Sequence, residues 1–243
     1  GKPFDLLAPS AMAADPINLA PPSNAIFYIS EGTSISYIVP GEINDGATYW
    51  YKVEVDFAGT KADLVTYLNA ALKNDNLPYQ IEEVDLSSPG SRLNWGDNSK
   101  NFAISFNDEP YKTVTLNTNC SDTTTAAAHI QNQILTQFPQ YSTAFTVTSV
   151  SSKIRLTASS SVVGNRLTRV RVKENAGQDV MGSTNGIGWI TSGSEKAIFD
   201  FSNSMEFYLS GSYMGIRGLG PYSYFAIKDD TSKKLFPTKV PSA

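Results

Sequence analysis

The chain has 243 residues and a net charge of −4, with 41% hydrophobic and only 17% charged residues. That length can bury a core without staples, the low charge argues against disorder, and the acidic balance disfavours a general nucleic-acid coat. One cysteine, Cys120, excludes an intrachain disulfide and a multi-cysteine zinc site; one histidine, His129, excludes two-histidine metal motifs and leaves any Ser/His/Asp triad a single base.

Residues 1–24 carry Pro3, Pro9, Pro16, Pro21 and Pro22 among small residues. Proline removes backbone donors and fixes φ, so the segment reads as an extended arm. It is either a frayed terminus or an arm laid on a neighbouring subunit. Its apolar side chains, Phe4, Leu6, Leu7, Ile17 and Leu19, favour the second, because a solvated tail has no use for them. Deleting the arm is then expected to spare the folded domain and weaken assembly.

Residues 25–29 and 34–39 are rich in β-branched and aromatic residues, with Gly32 in the turn between them and Pro40-Gly41 at the end. Across 49–57, Tyr51, Val53, Val55 and Phe57 alternate with Lys52, Glu54 and Asp56, the pattern of a half-buried strand. Over 61–73, Leu64, Leu68, Ala71 and Leu72 form one helical stripe, with Thr60 as N-cap and Asp63 at N3. Strand signals return at 79–81, 83–86 and 102–106.

The order then recurs. Residues 113–117 read as a strand. A helix starts at Ser121 or Asp122 and runs through Phe138, with Ala127, Ile130, Ile134, Leu135 and Phe138 on one side. Strands 145–150 and 153–157 follow, turning at Ser151-Ser152, and then strand 166–172. Strand–helix–strand–strand thus occurs twice at a period of about 60 residues, a duplication in which Leu68 and Ile134 occupy equivalent buried helix positions. Beyond 173 the chain is Gly-rich, with strands at 197–201, 205–209 and 224–228. Residues 215–220 read as a flexible loop, since their glycines are spaced wrongly for a phosphate-binding turn.

Searching the same sequence for chemistry yields little. His129, in the second helix, has no evident nucleophile or orienting carboxylate and reads as structural. Cys120 precedes that helix, a position that can activate a thiol, but reads as an ordinary small residue. Asn119-Cys120-Ser121 matches a glycosylation sequon only formally. Glu82 and Glu83, adjacent on a strand, point to opposite faces and make no glycosidase pair. The oxygen-rich loop 94–98 lacks EF-hand spacing. Catalytic, cofactor-binding and metal-binding residues are therefore all read as none. Arg166, Arg169, Arg171 and Lys173 form a basic cluster that is a solvated face, a partner-facing contact or, least favoured, a contact for nucleic-acid phosphate. Tyr208, Tyr213, Tyr222 and Tyr224 suit interfaces or sugar stacking.

The unit built from Thr113-Val114-Thr115-Leu116, the helix opening at Thr123-Thr124-Thr125-Ala126-Ala127-Ala128 and the strands around Phe145-Thr146-Val147 and Lys153-Ile154-Arg155-Leu156 resembles a module of phage tail and baseplate proteins. The same order is similar to the IN motif of flagellar hook and cap proteins, although Ile130-Gln131-Asn132 stands where that motif carries Ile-Asn. The earlier unit, Tyr51-Lys52-Val53-Glu54-Val55 with the helix around Asp63-Leu64-Val65-Thr66-Tyr67-Leu68, resembles structural proteins of large DNA viruses and phages. The resemblance spans residues 49–172 and brings no catalytic residues with it.

The sequence therefore predicts a β-rich α+β protein: two small strand–helix–strand–strand modules, further antiparallel strands, and extended arms at both ends. Boundaries are expected at 1–24 (arm), 25–107 and 108–175 (modules), 176–228 (Gly/Tyr-rich β region) and 229–243 (tail). The resemblance implies a non-enzymatic structural subunit of a virion, in the capsid shell, a vertex or the tail. Its partners would be copies of itself and other particle proteins, with no cofactor, no membrane span and no nucleic acid. The first rival is a carbohydrate- or receptor-binding adhesive module at a cell surface, with a glycan as partner; the second is a hydrolase whose site is built from scattered carboxylates.

Overall fold

Strand-forming runs dominate the computed structural model, which describes residues 5–8, 10–21, 25–32, 51–73, 84–97, 99–158, 167–190, 195–219 and 224–228. In chain order the elements are β1 (Asp5–Leu7), β2 (Ile17–Asn18), β3 (Ile26–Gly32), β4 (Tyr51–Glu54), β5 (Ala58–Gly59), α1 (Lys61–Ala70), β6 (Lys100–Phe106), β7 (Lys112–Leu116), α2 (Thr123–Gln137), β8 (Phe145–Val150), β9 (Lys153–Ala158), β10 (Arg169–Glu174), β11 (Glu195–Phe199), β12 (Met205–Ser210), β13 (Tyr213–Gly218) and β14 (Tyr224–Lys228). Among the described residues these strands pair antiparallel, and the fold is a β-rich α+β fold of several small sheets.

The chain divides into two compact units, residues 1–73 with 201–243, and residues 74–200. The second is therefore inserted in the sequence of the first. This differs from the boundaries expected at 107 and 175, and strand pairing explains why. Residues 102–106, expected to close the first module, form β6, which pairs with β7 on one side and β10 on the other. Of the strands expected after α1, residues 79–83 lie outside the described residues, as do 34–39 and the tail 229–243, and Val84–Leu86 are not in a strand. The second strand–helix–strand–strand order is present, with β7, α2, β8 and β9 in sequence, but β7 joins one sheet and the β8–β9 hairpin forms another.

In the first unit, sheet β1-β13-β12 and sheet β14-β3-β4 carry the core. Alternation sends Phe207, Met214 and Ile216 inward from the first and Phe27, Ile29, Tyr51 and Val53 from the second. Phe27 meets Phe207 edge to face at 5.8 Å. Helix α1 starts where Thr60 Oγ1 accepts the Asp63 N–H at 3.2 Å and buries Leu64 and Leu68.

In the second unit, sheet β11-β10-β6-β7 lies with the β8–β9 hairpin around α2, whose Ile130 and Ile134 are wholly buried. Phe106 is the aromatic hub, with ring centroids 4.6 Å from Phe138, 5.5 Å from Tyr141 and 5.1 Å from Phe145. Asp122 caps α2, accepting the Thr125 N–H at 2.8 Å. The expected turn at Ser151-Ser152 is there, both residues at positive φ (50° and 59°), the twist that a two-residue hairpin loop needs.

Candidate functional site

The site begins with a missing side chain. Gly215 on β13 faces Tyr208 directly across β12, and a Cβ there would fall 2.4 Å from Tyr208 Cζ. The glycine lets the tyrosine ring lie flat on the strand. Arg217, two residues on and on the same face, places its guanidinium carbon 4.7 Å from the Tyr208 ring centroid. Its Nε reaches Glu206 Oε1, directly opposite, at 2.5 Å.

Apolar side chains surround this group. Leu7 on β1 is paired with Gly215, so it shares the face, as does Tyr213. Leu219 follows β13, its N–H bonded to Ser204 O at 2.8 Å. These three, 44%, 42% and 47% exposed, are the exposed large hydrophobic residues among the described residues, and all sit on or beside one three-stranded sheet. Single exposed apolar residues need no explanation, but three gathered around an aromatic and an ion pair have the composition of an interaction surface. Residues 215–218 were expected to be a flexible loop. They are strand because Met214 and Ile216 alternate inward across the glycine, a period-two signal that the Gly count obscured.

The arm residues are placed differently from expectation. Ile17 and Leu19 are buried, at 7% and 5% exposure, within their own unit. β2 pairs with β5, and Leu19 N–H donates to Phe57 O at 2.7 Å. Asp15 Oδ1 accepts from the Lys61 backbone N–H at 2.9 Å and from its Nζ at 3.1 Å, which ties the segment to the start of α1 and holds the Asp15 carboxyl below the usual range. These contacts give Ile17 and Leu19 a burial partner inside the chain. Leu6 takes part in β1, Leu7 is exposed, and Phe4 lies outside the described residues.

The basic cluster is also split. Arg166 lies outside the described residues. Arg169 is buried: its Nε stands 2.9 Å from Asp108 Oδ2, Nη1 donates to Thr168 Oγ1 at 3.0 Å and Nη2 to Asn107 O at 3.2 Å. Asn107 and Asp108 reach it because both adopt positive φ (49° and 61°) in the turn after β6. Asn107 Nδ2 continues the network to Tyr141, whose hydroxyl donates to Glu109 Oε1 at 2.7 Å. Burial first, then the bond to Glu109, pushes the Tyr141 hydroxyl up to about 12. Arg171 is half-buried, 4.9 Å from the Tyr111 ring centroid, and Lys173 is exposed with Nζ at 6.0 Å. One side of β10 thus runs from buried to exposed and is not a uniform cationic face.

His129 accepts the Asn117 N–H on Nε2 at 3.3 Å and stacks on Trp95 at 6.0 Å. Burial holds its pKa below the usual value. The Cys120 thiol is buried, and burial followed by the nearby Asp122 charge raises its pKa, the reverse of an activated thiol. In the loop at 94–97, Asn119 Oδ1 accepts the Gly96 N–H at 2.7 Å, so that oxygen is engaged within the chain. No helix among the described residues is long and apolar enough to cross a membrane.

Comparison of the chain with protein-family models found no match, and comparisons with curated proteins and with solved structures found none either.

Proposed function

We propose that the chain is a non-enzymatic structural subunit of a virus or phage particle, in its capsid shell, vertex or tail, working through protein–protein assembly. The observation that carries the assembly part is the exposure of Leu7 and Tyr213 on the sheet face that holds Tyr208 and the Arg217–Glu206 pair, with exposed Leu219 just beyond the end of β13. An interface wants apolar area with a polar rim, and tyrosine supplies area at low entropic cost. The particle assignment rests on the resemblance of residues 49–172 to phage and viral structural modules. The test is light scattering and electron microscopy of the purified chain beside Tyr213→Ser/Leu219→Ser. Ordered assemblies that the double variant fails to form support the reading; a chain that stays monomeric at high concentration overturns it.

A carbohydrate-binding adhesive module is the second reading, favoured by the exposed Tyr213 ring on the same sheet face as the hydrogen-bonding Arg217 and Glu206. Saccharide binding on a glycan array by the monomer, lost in Tyr213→Ser, would replace assembly with adhesion.

A further inference from the structure

We propose that β1 is an exchangeable strand: on assembly, the segment around residues 5–12 leaves its own β13 and adds to β13 of a second copy of this chain. The inference rests on the assembly reading above and specifies its partner and contact.

Three observations lead there. First, β1 is a three-residue strand that, among the described residues, pairs with β13 and no other strand, and Leu7 contributes an exposed side chain to it. The segment continues along the β12–β13 hairpin through Ala8 N–H to Met214 O (2.7 Å) and Met12 N–H to Ser212 O (2.8 Å). Each of these bonds can form equally with the same atoms of another copy.

Second, the point where the segment leaves the hairpin is sharp. Met12 is bonded to the hairpin, whereas Ala13 O accepts from Lys61 Nζ at 3.0 Å and Asp15 is held at the start of α1. Ser10, Ala11, Ala13, Ala14, Asp15 and Pro16 are exposed, so this connection can extend without uncovering core.

Third, the bonds broken and formed by exchange are the same, so the balance is decided by contacts new to the assembly. Leu7, carried on the exchanged strand, and Tyr213 and Leu219, on and just beyond β13, are the exposed apolar side chains that supply them. The neighbouring Glu206 and Arg217 have opposite charges on one face, which suits a self-complementary contact between two copies.

Asp5 and Arg217 are directly opposed. The Ala8-to-Met214 bond makes Leu7–Gly215, and hence Asp5–Arg217, a non-hydrogen-bonded pair, with Cα atoms about 4.5 Å apart, within disulfide reach. The experiment mixes full chains bearing Asp5→Cys with full chains bearing Arg217→Cys, lets them assemble, oxidises them, and separates assembled from monomeric material. The double variant, alone and dilute, checks the register by closing within one chain. Exchange predicts a disulfide-linked dimer in the assembled fraction, joined through positions 5 and 217 by peptide mass, and absent from the monomeric fraction. Assembly without that linked dimer overturns the exchange and leaves the assembly reading standing. Failure of the unsubstituted chain to assemble overturns both.

Discussion

The side-chain amide of Asn69 satisfies both backbone groups of Phe207: its Nδ2 donates to Phe207 O at 3.0 Å, and Phe207 N–H donates to its Oδ1 at 2.7 Å. β12 is an edge strand of its sheet, and at this residue a carboxamide from α1 takes the place of a neighbouring strand. An open edge is a template for unwanted pairing, and a helix laid across it is one way to close it. Asn69→Ala leaves Phe207 without these partners. It should cost about 1–3 kcal/mol, read as a lower melting temperature, with increased aggregation near the transition. Unchanged melting would mean that water replaces the amide without loss.

Arg169, buried against Asp108, and the exposed Lys173 lie on the same side of β10 but should respond unequally to removal. Arg169→Ala removes the guanidinium that stands against the Asp108 carboxylate, 2% exposed, and should cost about 3–5 kcal/mol in denaturant unfolding. Lys173→Ala should stay within about 0.5 kcal/mol of the parent. Equal effects would contradict the graded burial along β10.

Ile17 and Leu19 belong to the core of the first unit, so Ile17→Ala and Leu19→Ala should each cost about 2–5 kcal/mol. Deleting residues 1–24 should accordingly lower the stability of that unit, the reverse of what a free arm implies. Leu7→Ser, at an exposed position, should leave the melting temperature nearly unchanged while weakening assembly. A full melting transition in the truncated chain would return the arm to the surface.

His129 gives the second unit a pH dependence with a defined sign. Its neutral ring accepts the Asn117 N–H, and burial depresses its pKa in the folded chain. As pH falls below the unfolded value of about 6.5, the unfolded state takes up a proton before the folded state does, so stability declines until the folded ring is also protonated. Above that value the histidine contributes no slope. Denaturant unfolding at a series of pH values should show this decline, and His129→Gln should flatten it. An identical decline in the variant would assign it to carboxylates.

Gly215→Ala places a methyl where the Tyr208 ring lies and should displace the ring, at about 1–3 kcal/mol, together with the Arg217 stacking. A crystal structure of the variant with Tyr208 unmoved would dismiss the packing of its ring on Gly215.

Local order in this chain was legible from residue patterns. Thr60 and Asp122 as caps, the buried stripes of α1 and α2, the alternation of β8 and β9 and the turn at Ser151-Ser152 all follow from neighbours within a few residues, where 3.6- and 2-residue periods and capping chemistry act. The β-rich α+β class follows from their sum. What the tertiary structure decided is which distant strand each one meets. The pairing of β1 with β13, of β6 with β10, and the burial of Arg169 against Asp108 join residues 61 to more than 200 positions apart. Edge pairing and buried charge depend on a partner that no local period encodes, so a proline-rich segment read as an arm for a neighbouring subunit pairs with strands of its own chain, and a basic stripe read as a surface is partly a core ion pair.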